Sequence, residues 1–481
     1  MATISSPGVG SGLDVNNIIS QLVAVERVPL TKLASAATAL ETKLSTYGKV
    51  KSAVSSLRDA AAALTRSETW NKTSATSSDT GAVSVSPGAN ATPGSYSIQV
   101  DRLAAAQSNV TGLIAAPDTA QFEGTLTIEL GSWDLGQTNF TPKVGATAID
   151  IAVGPPAQSL AQLRDKINAA GAGVVASVLT DASGARLVLR SSASGESNAF
   201  RATVADADGN SGDNLGLSAL AFDPSAGILT MAQALAAANA SATLNNVAVT
   251  SESNTLTDVL DGMTLTLNQV TASPVQLSVA QDKPALRKSI DAFVTAYNDL
   301  NKLMADQTKL DTANKSNNTL HGDNAALAIR SQMRQMLGAT STASNTFTRL
   351  SDAGFDVQRD GSIKLDETKL ASALGNAAEA RKVFGNVDSL VPANNGVATR
   401  IRTLADLLLG IDGTIVTRSE GLQKSIDLNH DRQEHLTDRI AQVEKRLRAQ
   451  YTALDRQMAQ LNSLSGYITQ QLTVFNNSRS N

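Results

Sequence analysis

The chain has 481 residues, a net charge of −4, 42% hydrophobic but only 3% aromatic and 17% charged residues, three histidines and no cysteine. That is apolar material for about three domains and excludes wholesale disorder, disulfides, thiolate metal sites and cysteine nucleophiles. With no basic field for nucleic acid or acidic lipid and few aromatics to line a deep cleft, composition points to a structural protein.

Residues 1–12 (MATISSPGVGSG) are turn-formers. From there Leu13, Ile18, Ile19, Leu22, Val23 and Val25 recur at helical spacing. Pro29 is expected to interrupt this first helix, because proline in a helix interior removes a hydrogen bond. A second stretch carries Leu33, Ala37, Leu40, Leu44 and Tyr47 at alternating four- and three-residue steps, then resumes from Val50 through Val54, Leu57, Ala61 and Leu64. That is a heptad seam with one phase break. The first basic residue is Arg27, so no signal-peptide pattern is expected. No run of 18 apolar residues suggests a membrane span.

From about residue 75 to 282 the chain is rich in Thr, Ser and Gly with period-two alternation, which reads as β. Tyr96, Ile98 and Val100 alternate in one strand, Leu126, Ile128 and Leu130 in another, Ile149, Ile151 and Val153 in a third. Ser159 heads a short helix carrying Leu160, Leu163 and Ile167, with Gln162 at the capping-box position. Gly171 and Gly173 lead into strands at 174–179 and 187–189, joined by a turn from Asp181 to Gly184, so strand-strand-helix-strand-strand forms one α+β unit. Further strands are expected at 243–249, 263–270 and 275–279. Residues 202–282 contain no Lys or Arg, while Asp206, Asp208, Asp213, Asp223, Glu252, Asp258 and Asp261 remain. An acidic surface of this kind suits permanent exposure to solvent.

Helix returns at Pro284 with Leu286, Ile290, Phe293, Val294, Tyr297, Leu300, Leu303 and Met304, and again over about 324–337. Asp360 and Gly361 between Val357 and Ile363 signal a hairpin, and Asn394, Asn395 and Gly396 a loop. At the far end Leu436, Ile440, Val443 and Leu447 open a second seam. It continues through Tyr451, Leu454, Met458, Leu461, Ser465, Ile468, Leu472 and Phe475 with one stutter near Leu447. This predicts a helix from about Gly421 to Phe475, ~80 Å at ~1.5 Å per residue.

The fold class read from this order is multidomain α+β: a helical coiled-coil stalk or leg from both termini with inserted β-rich head domains. The expected divisions are an N-terminal leg at 1–40, a stalk from 41–75 and 284–420, an inner β head from 76–112 and 240–283, an outer α+β head at 113–239 and a C-terminal leg at 421–481.

Little chemistry emerges. Gly8, Gly10 and Gly12 lack the preceding strand, the Lys and the spacing of a phosphate loop. Asp206, Asp208 and Asn210 stand at calcium-loop spacing, but Ser211 and Leu217 replace the needed Gly and bidentate Glu, so a polar turn is the reading. His430 and His435, five apart, do not share a helix face and read as solvent-facing. No nucleophile–base–orienter set can be assembled. No catalytic, cofactor-binding or metal residue is assigned, and no cofactor is expected. What needs a partner is apolar: Leu13, Ile18, Ile19, Leu22 and Val23 near one end, and Leu461, Ile468, Leu472 and Phe475 near the other. Thin helices with such seams are marginal in water until covered, so intermolecular bundling is expected.

The opening GVGSGLDVNNIISQLVAVERVPL resembles the start of the flagellar filament cap family, hook-associated protein 2. The closing stretch, from ATRIRTLADLL through SIDLNHDRQEHLTDRIAQVEKRLRAQYTALDRQMAQLNSLSGYITQQL, resembles that family's C-terminal helix. The segment TAIDIAVGPPAQSLAQLRDKINAAGAGVVASVLTDASGARLVLRSS resembles the flagellin-hook-type β unit of the same family's head; GSYSIQVDRLA and HGDNAALAIRSQMRQML are similar to other family segments. The resemblance implies an extracellular, pentamer-like homo-oligomeric cap at the flagellum's distal tip, whose head domains form a plate over helical legs. It implies retention of exported flagellin and its guided insertion during filament elongation. The implied partners are further copies of the chain, flagellin, a hook–filament junction protein and a cytoplasmic export chaperone, with no nucleic acid and no membrane insertion. Export would use the flagellar type III apparatus without a cleaved signal peptide. The alternative is a flagellar-tip adhesin that binds host mucin or glycans through the head.

Overall fold

The computed structural model describes residues 14–311 and 316–479. The chain divides into two compact units: residues up to Trp70 together with those from Pro284 onward, and the segment Asn71–Lys283. A helical unit is thus built from both ends of the chain, with a β-rich unit inserted between them. Helices α1 (Val15–Thr65) and α2 (Ser67–Asn71) precede the insertion and α3 (Leu160–Ala170) lies inside it. After it come α4 (Lys283–Thr308), α5 (Asn324–Leu337), α6 (Glu367–Gly375), α7 (Ala377–Gly385), α8 (Val397–Leu409) and α9 (Thr414–Arg479).

Helix α1 starts on Asp14, whose carboxylate accepts the Asn17 N–H at 3.1 Å. Contrary to the expected interruption, it runs through Pro29 without a break. The proline faces solvent, and the lost hydrogen bond and ring clash cost about 3 kcal/mol. Packing on both sides of the proline offsets this: Ile19 and Val23 are buried before it, Leu30 is partly buried and Ala37 buried after it. Between Tyr47 and Leu64 the seam follows its spacing, with Tyr47, Val50, Val54, Leu57, Ala61 and Leu64 all buried. These residues share one core with Leu286, Ile290, Phe293, Tyr297, Leu300 and Met304 of α4 and with Ile401 and Leu408 of α8. Trp70 closes this core against Phe384, ring centroids 5.5 Å apart. The hairpin at Asp360 is present: Val357 pairs with Ile363, Gly361 takes a positive φ of 86°, and the Asp360 carboxylate accepts the Ser362 N–H and hydroxyl. Helix α9 begins at Thr414 rather than near Gly421, and Ile415 and Leu422 add to the same core.

The β-rich unit holds two principal cores. One is covered by an antiparallel sheet in the order Thr73–Ser77, Val275–Gln281, Gly94–Arg102, Ala240–Leu244, Val247–Ser251, and by a smaller sheet of Thr255–Leu260, Met263–Leu267 and Val83–Pro87. The expected single strand at 243–249 is in fact a hairpin. Leu244 pairs with Val247 across Asn245 and Asn246, whose φ values of 48° and 67° lie in the left-handed region that asparagine tolerates. In the other core, Phe122–Trp133 is flanked by Ala199–Asp206 and Ile149–Gln158. A four-stranded sheet runs Ala232–Leu235, Ser108–Val110, Gly184–Ser191, Val174–Asp181. Helix α3 buries Leu160, Leu163 and Ile167 here, with the Ser159–Gln162 capping box formed and Gly171 left-handed just past its end. Asp181 pairs with Gly184 across a two-residue turn.

Replacing Pro29 with alanine restores the missing donor in an unbroken helix. Pro29→Ala is expected to raise stability by roughly 1–3 kcal/mol. Amide exchange over residues 25–33 should slow in parallel; faster exchange there would show that the proline is needed where it stands.

Candidate functional site

The carboxylates at calcium-loop spacing serve their own loop. Asp206 accepts the Ser218 N–H at 2.7 Å and Asp208 the Asn210 N–H at 2.8 Å. Among the described residues no group of three His, Asp or Glu is placed to hold a metal. The surface that stands out lies instead on the two longest helices.

Helices α1 and α9 run antiparallel. Tyr47 on α1 and Arg418 on α9 meet at Asp323, Glu41 lies 3.7 Å from His430, and Val15, Ile19 and Val23 cluster with Leu436, Ile440, Leu447 and Tyr451. At one end of this pairing sits a buried polar joint. Asp323 accepts the Tyr47 hydroxyl at 2.6 Å and the Arg418 guanidinium at 2.8 and 3.2 Å, and caps α5 by accepting the N–H groups of Ala325 and Ala326. Burial alone would push this carboxyl up. The bonds from Tyr47, Arg418 and Ala326 outweigh it and hold Asp323 below the usual carboxylate range. Burial, reinforced by the carboxylate, pushes the Tyr47 phenol up. One carboxylate therefore ties together α1, α5 and α9.

At the other end the pairing is apolar. Ile19 is 3% exposed, Val23 5% and Ile440 4%. Intermolecular cover was expected for Ile19 and Val23, but α9 of the same chain already covers them. Their inward face is the four-residue series Val15, Ile19, Val23; Ile18 is partly buried, and Leu22 faces outward with Val25 and Val28. Beside this seam, Asn16, Ser20, Ala24 and Arg27 line a groove of about 190 Å³ with Glu444 and Arg448.

Past Tyr451, α9 continues to Arg479, about 40 Å of helix at ~1.5 Å per residue. Its apolar side chains there stand in solvent: Leu461 is 59% exposed, Ile468 50% and Leu472 57%, with Leu464, Tyr467 and Val474 similarly open. Leu13 and the Phe475 side chain lie outside the described residues. The structure thus gathers Ile19 and Val23 into one intramolecular cluster and leaves Leu461, Ile468 and Leu472 as a separate open ridge. Sequence reasoning missed Val15 and the whole Asp323 joint. The available signals were an Asp immediately before a predicted helix and a tyrosine at a seam position.

Comparison with known proteins fits this layout. Residues 11–107 match the model of the flagellar hook-associated protein 2 N-terminus, 237–463 that of its C-terminus and 136–193 the flagellin hook IN motif. The flagellar hook-associated protein 2 of Escherichia coli K12 is 34% identical over 495 residues, covering all of both chains. The chain belongs to the flagellar hook-associated protein 2 family. The B-type flagellar hook-associated protein 2 of Pseudomonas aeruginosa is 31% identical, with 98% of each chain covered. The Salmonella typhimurium flagellar hook-associated protein 2 is 30% identical over 99% of this chain and 100% of its own. The crystal structure of the D1-D2-D3 domains of the flagellar cap protein FliD from Escherichia coli superposes with a TM-score of 0.62 at 32% identity. It covers 79% of this chain and 99% of that one. This hook-associated protein 2 family member therefore shares its fold with the Escherichia coli cap protein over the superposed part.

The Asp323 joint makes a pH prediction. A carboxyl held below its ordinary value of 3.8 contributes stability that is complete above that value and lost as pH falls through the folded one. Asp323→Asn should cost about 1.5–3 kcal/mol at neutral pH. Urea unfolding across a pH series should also show a flatter acid limb than wild type; an unchanged acid limb would remove Asp323 from the account.

Proposed function

We propose that this protein is a structural assembly factor that caps the distal end of the bacterial flagellar filament as a homo-oligomer, retains exported flagellin and guides its insertion. Membership of the flagellar hook-associated protein 2 family supports a structural, flagellar role. The observation that carries the reading is the open ridge of Leu461, Ile468 and Leu472 on α9. A helix with one wet apolar stripe is stabilised by a neighbouring helix laid along that stripe. Covering a half-exposed Leu or Ile contributes on the order of 1 kcal/mol, so five or six such side chains suffice to favour bundling among copies or against filament subunits. Leu13, Ile18, Leu22 and Phe475 extend this contact set, and Ile19 and Val23 position it from beneath. The further partners are flagellin, a hook–filament junction protein and a cytoplasmic export chaperone, with export through the flagellar type III apparatus to the filament tip.

A glycan-binding tip adhesin draws no support from the acidic β-rich unit. Asp213 accepts the Leu215 N–H and the Ser218 hydroxyl, Asp223 the Ala226 N–H, and Glu252 the Ser197 hydroxyl. Asp213 and Asp223 thus organise their own loops, and Glu252 ties its loop to the turn at Ser197.

The test is a triple Leu461→Ser, Ile468→Ser, Leu472→Ser variant. Its monomer should unfold within about 0.5 kcal/mol of wild type, since surface substitutions away from packing cost little. Native mass spectrometry should show the oligomer lost, and a strain carrying the variant should release monomeric flagellin rather than grow filaments. A motile, normally filamented strain would defeat the proposal.

A further inference from the structure

The four-stranded sheet of the β-rich unit ends on Val174–Asp181, which pairs with Gly184–Ser191 on one side and, among the described residues, with no strand on the other. Edge strands of this kind invite another chain, and proteins usually blunt them with Lys, Pro, a bulge or a cover. This one has none of the sequence devices. Residues 174–180 read VVASVLT, with no charge and no proline, and Val175 and Leu179 are 51% and 59% exposed. A short, uncharged, β-branched run of this type is also the signature of self-pairing segments. The opposite edge of the same sheet, Ala232–Leu235, is broken by a register shift between Gln233 and Leu235.

The direction of the main-chain groups follows from the register. Val178 lies opposite Leu187, and Leu187 gives its N–H to the Thr111 hydroxyl and its carbonyl to the Thr111 N–H, on the far side of its strand. In an antiparallel pair the two residues of such a position both point away from each other. The N–H and C=O groups of Val174, Ala176, Val178 and Thr180 therefore face the open edge.

One of these positions is filled. Asn168, in the last turn of α3, donates its Nδ2 to the Ala176 carbonyl at 2.9 Å and accepts the Ala176 N–H on Oδ1 at 2.7 Å. A carboxamide carries the same donor and acceptor as a peptide group. It satisfies Ala176 as a neighbouring strand would. We infer that Asn168 is an edge plug: it occupies the ladder position at Ala176 and keeps a second copy of this strand from adding to the sheet.

An ordinary fastening of helix to strand and a plug give different results when the carboxamide is removed. In the full-length protein, Asn168→Ala and the bulk-conserving Asn168→Leu should exchange the Ala176 amide about tenfold faster than wild type, the factor for one lost hydrogen bond. Both should add a concentration-dependent, higher-mass species in sedimentation velocity beyond the wild-type distribution. Adding Val178→Pro, which removes an outward N–H without touching the ladder, should abolish that extra species and leave any association through the long helices unchanged. Faster exchange with no added association would reduce Asn168 to a fastener and overturn the plug. So would an added species that survives Val178→Pro.

Discussion

The structure depends on a mismatch of reach between two helices that come from opposite ends of the chain. Helix α9 has 66 residues and α1 has 51, and they run antiparallel from a common polar joint. Where α1 is alongside, the apolar residues of α9 that face it, such as Ile440, become core. Farther along, past the buried Asp455, the same three-four spacing continues and Leu461, Ile468 and Leu472 are wet. One sequence pattern thus has two fates, depending on whether a second helix lies against that face. Because isolated helices gain most of their stability from a packed face, the uncovered stretch couples its own order to whatever docks on it.

Two long helices joined only at their tips would splay, and each end of the pairing is held by a different interaction. The apolar cluster of Val15, Ile19, Val23 and Ile440 is non-directional and tolerates small slips. The Asp323 joint does not: a single carboxylate receives a phenol, a guanidinium and two helix N-terminal amides. Taking that carboxylate out of water is costly, and the gain over an apolar substitute of the same size is small. What it adds is register. Only one alignment of α1, α5 and α9 brings all four donors to the same two oxygens, so the joint selects where the longer helix projects.

Periodicity was the most readable part of the sequence. The Tyr47-to-Leu64 seam, the α3 capping box, the helix at Asn324–Leu337 and the hairpin at Asp360 each rest on local spacing or a local bond, and local rules suffice for them. Phase was not readable. Ile18, Ile19, Leu22 and Val23 all fit a helical stripe, and only the position of α9 decides that Ile19 and Val23 turn inward. Proline at position 29 misled because its local cost is real, but packing on both sides outweighs it. Asn245 and Asn246 hid a hairpin inside an alternating run because asparagine fits both a strand and a left-handed turn. The Asp323 joint joins residues 276 and 95 positions apart in sequence, which no spacing rule reaches.

A chain poor in aromatics and charge fastens itself with small polar side chains, and carboxamides do much of this. Asn254 clamps both main-chain groups of Ala104, Asn298 those of Ile363 and Gln107 those of Phe200, in each case with one donated and one accepted bond. Asn168 uses the same two-bond clamp at an open sheet edge, where it does more than fasten. The contrast with α9 is informative. An open strand edge offers main-chain groups and would accept almost any extended polypeptide, so it is closed. An open helical ridge offers side chains at three-four spacing and accepts only a surface with matching ridges and grooves, so leaving it wet carries less risk of wrong partners. A protein that must assemble by one route can expose the selective surface only if the permissive one is sealed.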